Sequence, residues 1–457
     1  MISSRVLRSC FGSTRTFPSA LSLLVLATPL LAQGTGKIAF ERFTLSNGLE
    51  VILAPDRTSQ VAAVDVWYLT GSRNEPSAKA GLARIFDRLM FLGSANVPGG
   101  AHAALIEQAG GRVEGAVEED VSRFSESVPS NRLNQALWLE ADRMRGIVIN
   151  DTTVGESRAG LLDDLRARAS GEPYTGVVLE TIATLYDSIG CPGYSHPPLG
   201  RPATAAAITT PDAADFLNQH YRPNAARLVV SGDFDPVATR QTVTDYFGGI
   251  GRGPAPQPVN CAAGYSPGPV RRDVTDRLAS RPAAGQFYRI PPHAHGDTPA
   301  LELLGIILGQ GQSARLSTRL IGETASASAV QGGILGTRLG PGVFGLFAVA
   351  GPGVTADSLA GLLAAEARWA SGDGLSESDL ERARNVYLAT AVSRRERAQD
   401  IAEALQHAAT FHGSVDAVNT EPNQVLGVTL SDLRRVAASW LKPENAVTLV
   451  IAVGGAS

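Results

Sequence analysis

Between Gly81 and Ser94 the chain reads Gly-Leu-Ala-Arg-Ile-Phe-Asp-Arg-Leu-Met-Phe-Leu-Gly-Ser, and its apolar spacing predicts a helix from about Lys79 to Leu92. On such a helix Arg84, Asp87 and Arg88 share one face, because residues three and four apart are neighbours. A guanidinium stays protonated and offers no lone pair, so neither arginine can ligate a metal, and both repel a divalent cation. Asp87 supplies a carboxylate, but without a metal-bound water beside it there is no activated nucleophile for it to deprotonate. The two arginines repel one another by only about 0.2–0.5 kcal/mol on an exposed helix, and by more if buried. Opposing carboxylates relieve that repulsion.

Metal-ligating residues elsewhere are sparse. The seven histidines are His102, His196, His220, His293, His295, His407 and His412, and no two stand at i, i+4. Only His293 and His295 are close, in Pro-Pro-His-Ala-His-Gly. With no Cys or Glu at ligand spacing beside them, they read as a surface turn. No metal site is therefore expected. Of three cysteines, Cys10 lies in the N-terminal leader, and Cys191 and Cys261 fit a disulfide or two free thiols equally well.

The elements that must position these residues belong to a chain of 457 residues, 44% hydrophobic and 18% charged, which is globular and too long for one core. A net charge of -4 without long runs provides no basic stripe for phosphate, so nucleic acid is excluded as a partner. Arg5, Arg8 and Arg15 precede an apolar run from Ala20 to Ala32, with no acidic residue before Glu41. This is the layout of a secretory signal peptide over residues 1–32. A mitochondrial transit peptide shares the Arg- and Ser-rich start but lacks the continuous apolar core. No later run of 18 apolar residues occurs, so no integral membrane segment is expected after cleavage, and the protein is expected to be exported, periplasmic or secreted.

Asn47-Gly48 predicts a hairpin between Phe43 and Asp56, followed by a strand in Val-Ala-Ala-Val-Asp-Val-Trp-Tyr. A helix near Ala104, strands near Val113 and Phe124 and a helix capped by Ser130 come next. Helices are then expected at 151–170, 176–189 and 211–221, and a strand-helix pair ends this half. Residues 251–268, rich in Pro and Gly, form a linker between domains at 37–250 and 269–457. The second half is expected to hold strands near Gln286, a helix from Pro299, two apolar strands, two long helices between Ala356 and Phe411, and a last helix and strand. Tyr-Arg-Pro-Asn-Ala-Ala-Arg-Leu-Val-Val from Tyr221 recurs as Leu-Lys-Pro-Glu-Asn-Ala-Val-Thr-Leu-Val-Ile from Leu441, which points to two homologous halves.

With its frame of Gly81-Leu82-Ala83 and Met90 to Ser94, the first segment resembles the zinc helix of the insulinase/pitrilysin family, the inverzincins. The family pattern is H-x-x-E-H, with a further glutamate about 75 residues on. By that resemblance the two histidine ligands and the catalytic glutamate are replaced by Arg84, Arg88 and Asp87. The ligand glutamate falls on Asp164 and a supporting glutamate on Ser157, so the resemblance implies that Asp164, alone or with Asp163, faces Arg84 and Arg88 in an ion-pair network. Glu114 stands where relatives carry a substrate-holding Asn, and Gly322 and Ser328 stand where they carry a peptide-binding Arg and Tyr. Further scaffold matches (Ser-Asn-Gly-Leu-Glu-Val-Ile-Leu, Gly-Ser-Arg-Asn-Glu-Pro, His196 to Gly200, Gly-Gln-Ser-Ala-Arg-Leu) extend the likeness over nearly the whole mature chain.

The resemblance implies an α+β fold of two homologous domains, each a mainly antiparallel sheet with helices packed on one face, enclosing a chamber. It also implies that the family's zinc is lost here. A noncatalytic, processing-peptidase-like subunit follows, one that binds peptides or supports a zinc-competent homologous subunit. Two rivals remain: an active zinc metalloendopeptidase with atypical ligands, and an envelope scaffold protein that never meets peptides. An open groove with free strand edges favours peptide binding, whereas a chamber filled with side chains favours a scaffold.

Overall fold

The computed structural model describes residues 36–261 and 268–454. The expected signal peptide and part of the linker lie outside these residues. Gly48, at φ +91°, turns the chain between β1 (Glu41–Thr44) and β2 (Glu50–Pro55), which pair antiparallel. The Asn47 amide donates to Phe247 O and Ile250 O at 2.8 and 3.0 Å, fastening this hairpin to the end of its half.

With β3 (Val61–Tyr68), β4 (Arg112–Val117), β5 (Ser122–Pro129) and β6 (Ala226–Gly232), these strands form a six-stranded sheet in the order β1-β2-β6-β3-β5-β4. The second half forms a five-stranded sheet in the order β7-β11-β8-β10-β9 from β7 (Val270–Asp276), β8 (Ala283–Pro292), β9 (Ala327–Ile334), β10 (Pro341–Ala350) and β11 (Ala446–Val453). In each sheet the last strand of its half enters the middle, parallel to the first neighbour (β2 or β7) and antiparallel to the second (β3 or β8). These are the strands that follow the repeated Pro-Asn segments, so the short sequence repeat marks a duplicated topology. The fold is α+β with two homologous, mainly antiparallel sheets.

Alternation along the strands decides which face each side chain covers. Ala62, Val64, Val66 and Tyr68 join the core beneath the first half's own helices, such as Leu133–Arg145. The intervening Ala63, with Ile52 and Val229, packs instead against the helix Ala398–Phe411, which belongs to the second half. Gln406 on that helix donates to Asp65 O and Arg227 O at 3.0 Å each. Reciprocally, Ile182 from the helix Thr175–Ala183 joins Phe287, Val343, Val447 and Leu449 of the second sheet. Each sheet thus carries its own helices on one face and a helix of the other half on the opposite face.

Polar contacts lock the same junction. Arg73 Nε lies 2.6 Å from Asp120, whose carboxylate also accepts from Tyr194 and from Leu339 N, and Arg338 pairs with Glu119 at 2.7 Å. Cys191 and Cys261 form a disulfide.

Several elements differ from the expectation. Three helices, at 356–371, 377–393 and 398–411, fill the region where two were expected, and another follows at 417–427. The helix expected at 176–189 stops at Ala183, where Leu185 and Tyr186 turn into the contact with the second sheet. Ser130 does not cap its helix: its hydroxyl donates to Asp233 at 3.1 Å, and the α-helix begins at Leu133.

Candidate functional site

The segment 81–94 is not a regular α-helix. Only Phe86–Leu89 is α-helical, and the turns before it close through i→i+3 bonds such as Arg84 N to Gly81 O and Asp87 N to Arg84 O. Glu75, six residues upstream, sets this path. Its two carboxylate oxygens accept from Gly81 N and Ala83 N, each at 2.8 Å, and so cap the orphan amides of the segment's start. Gly81 sits at φ +104°, a conformation that strains any side chain, and an added Cβ would press on Leu199 O and Leu161 at 3.0 and 3.1 Å. Burial pushes the Glu75 carboxyl up to about 8, against the pull of these backbone donors. Phe86 then stacks on Tyr221, with ring centroids 4.6 Å apart at 15°, and anchors the segment in the core.

This tight winding sends the two arginines in different directions. Arg84 is 7% exposed and turns inward. Its Nη2 lies 2.7 Å from Asp87 Oδ2 and its Nη1 donates to Val117 O at 2.7 Å, at the end of the edge strand β4. Arg88 turns outward over the helix Asp151–Gly171, where its guanidinium lies against Gly160. Its Nη2 is 3.8 Å from Asp164 Oδ1, with both side chains about half exposed. The expected facing of Asp164 and an arginine is therefore present for Arg88 but not for Arg84, whose partner is Asp87. Asp163 does not join them. It pairs with Arg166 at 2.6 Å on the outer surface of the same helix.

Burial pushes the Asp87 carboxyl up to about 6, with Arg84 opposing the shift. Ser157 lies buried on the same helix, and its hydroxyl meets no hydrogen-bond partner among the described residues. This donor set does not fit zinc. One carboxylate is committed to a guanidinium, the other stands beside a second guanidinium, and no imidazole is present.

Glu114 is exposed on β4, the strand that ends the first sheet. Gly322 lies in the helical segment Ser317–Glu323, and Ser328 is on β9, the corresponding end strand of the second sheet. The Ser328 hydroxyl donates to Ala350 O at 3.1 Å. Among the described residues, no hydrogen bond or ion pair joins Glu114, Gly322 or Ser328 to Arg84, Asp87, Arg88 or Asp164.

His293 departs most from expectation. It is buried rather than in a surface turn, and it meets His407 and His412, which sequence spacing left unconnected. His295 does keep to the periphery, its ring accepting from Asp297 N at 3.1 Å.

Comparison with known proteins places this geometry. Residues 50–183 match the family model described as Insulinase (Peptidase family M16), and residues 207–387 match Peptidase M16 inactive domain. The second description concerns the half that lacks Arg84, Asp87 and Arg88, so it carries no statement about them. Over 422 residues the chain is 23% identical to the zinc protease PqqE of Helicobacter pylori, covering 90% of this chain and 92% of that protein. It is 26% identical over 337 residues to the cytochrome b-c1 complex subunit 1 of Caenorhabditis elegans, covering 72% of this chain and 66% of that one. The crystal structure of a protease from Helicobacter pylori superposes with a TM-score of 0.85 at 23% identity, over 90% of this chain and 99% of that chain. Two successive matches to the same family, on two sheets of the same topology, establish that the chain belongs to the insulinase peptidase family, M16.

Proposed function

We propose that this chain is a noncatalytic member of the family, which binds peptide segments and supports a zinc-competent homologous subunit. The observation that carries the reading is the Arg84 guanidinium, buried and bonded to Asp87 and Val117 O where the family resemblance puts a zinc-binding imidazole. A permanent positive charge at that point opposes a dication directly, and Asp87 has no metal-bound water to act on. Relatives support the second part: cytochrome b-c1 complex subunit 1 and mitochondrial-processing peptidase subunit alpha are, by name, subunits of larger assemblies. Peptide binding, rather than a scaffold role, is favoured by β4. Its outer edge has no strand partner among the described residues, and Glu114 and Gly115 on it are exposed, which suits addition of an extended peptide. The apolar leader and the Cys191–Cys261 disulfide support export to an oxidising compartment.

The test is a peptide-cleavage assay with added zinc, run on the purified chain alone and mixed with a co-encoded homologue that carries an intact H-x-x-E-H. The chain alone is expected to be inactive, and the mixture to form a stable complex with raised kcat/KM. Chelator-sensitive hydrolysis by the isolated chain would overturn the reading.

A further inference from the structure

Three histidines that no local pattern pairs come together in the second half. His293 follows the end of β8, His407 lies on the helix Ala398–Phe411, and His412 caps that helix. His293 Nε2 is 3.2 Å from His412 Nε2, and the His293 and His407 ring centroids are 5.1 Å apart. One nitrogen from each of the three rings lies within 4.8 Å of the others. Tetrahedral zinc with bonds of about 2.0–2.1 Å needs ligand atoms about 3.3 Å apart. The His293–His412 edge is close to that length, and a His407 ring nitrogen lies within 4.8 Å of both.

Two carboxylates stand next to these histidines. Glu421 Oε2 is 3.4 Å from His412 Nε2, and Tyr387 donates to the other oxygen, Oε1, at 3.0 Å. That hydroxyl holds one carboxylate oxygen and leaves the other turned to His412. Glu302 Oε1 stands 3.9 Å from His293 Nε2. Arg394 is the neighbouring cation that acts on Glu302 and His407, while Arg395 is turned away onto the carbonyls of Gly36 and Val418.

The other buried cluster of this kind, His102 with Glu126 and Glu140, differs in one respect. The Arg143 guanidinium already pairs with Glu140 there and lies over Phe124, 4.6 Å from its ring centroid. That cluster holds its own cation. The histidine cluster has no guanidinium bonded to its ligand atoms among the described residues.

We propose that His293, His407 and His412, with Glu421 as the fourth ligand, form a zinc-type divalent metal site in the second half of this chain. Four protein ligands make it a closed, structural site rather than an open catalytic one. Its position gives it a task. The helix Ala398–Phe411 crosses onto the first sheet, and the metal would pin the end of that helix to β8 and to the helix Ala417–Gly427. The site is independent of Arg84 and Arg88. Metal content alone therefore does not report on peptidase function, which is read by hydrolysis.

The experiment titrates chelator-stripped full-length chain with CoCl2, reads the ligand-field absorption of tetrahedral cobalt, and then displaces it with ZnCl2. One cobalt per chain is expected, displaced by one zinc. His412→Gln, at the half-buried helix end, and His407→Ala should each weaken binding by at least about 100-fold. Arg88→Ala with Asp164→Asn should leave it unchanged. Zinc should raise the melting temperature of the wild type and not that of His412→Gln, which separates loss of the site from misfolding. Absence of a stoichiometric tetrahedral cobalt spectrum in the wild type, or full binding by both histidine variants, would overturn the proposal.

Discussion

Replacing Arg84 by methionine keeps an apolar stem of similar length and removes the guanidinium that joins Asp87 to Val117 O. Breaking a buried ion pair costs about 3–5 kcal/mol, because the remaining charge stays buried without its partner. Asp87 is 21% exposed, so water recovers part of this, and a loss of about 2–4 kcal/mol is expected near neutral pH. The loss must depend on pH. The folded-state pKa of Asp87 is raised from 3.8 to about 6, mainly by burial with Arg84 opposing it. The contribution of this carboxyl to folding is thus fully present below pH 3.8 and is lost as pH rises through 6. Two pKa units correspond to about 3 kcal/mol. Without Arg84 the pKa rises further, so the variant pays most when Asp87 must ionise and least when it is neutral in both proteins. Urea unfolding followed by tryptophan fluorescence should show the deficit shrinking to about 1–2 kcal/mol near pH 5, with m unchanged. The double substitution Arg84→Met with Asp87→Leu should return to within about 1 kcal/mol of the wild type at both pH values. A deficit equal at the two pH values, or a double variant as unstable as the single one, would refute the reasoning.

Gly160→Ala should be neutral or stabilising by up to about 1 kcal/mol in the same urea assay, since a mid-helix glycine costs about that much relative to alanine. The nearest atoms an added Cβ meets all belong to the half-exposed Arg88 side chain, which must shift, and a loss above about 1 kcal/mol would show Arg88 held by more than its 3.8 Å contact with Asp164. The Cys191–Cys261 bond, with a sequence separation of 70, should contribute up to about 4 kcal/mol, lost in the double serine variant. A non-reducing digest lacking the linked peptide would remove that expectation.

Much of the scaffold was legible because it rests on local rules. The Asn47-Gly48 turn, the alternation of β3 and the repeated Pro-Asn segments before β6 and β11 each specify their element without distant help. The crossing of Ala398–Phe411 onto the first sheet was not legible. Its apolar stripe says that one face is buried, but nothing in the pattern says against which sheet. Likewise the tight turns of residues 81–86 depend on Glu75, which reaches forward to cap them, and propensity over the segment alone favours an ordinary helix.

The two chemically charged places in the molecule differ in legibility for a related reason. The loss of zinc ligands at Arg84 and Arg88 can be read from residue type alone, since no conformation gives a guanidinium a lone pair. Asp164 as the partner of Arg88 was anticipated, but the partner of Arg84 was not, because i, i+4 arithmetic assumes 3.6 residues per turn, and the i→i+3 winding turns Arg84 inward to Asp87 while Arg88 stays with Asp164. The histidine cluster defeats the same arithmetic from the other side. On a continuous helix His407 and His412, five apart, would point to well-separated directions, and His293 lies far away in sequence. The helix stops at Phe411, so His412 is free to turn back toward His407 and the end of β8. Spacing rules find ligands that share one regular element. These three meet because an element ends, and only the packing of the second half shows where that end falls.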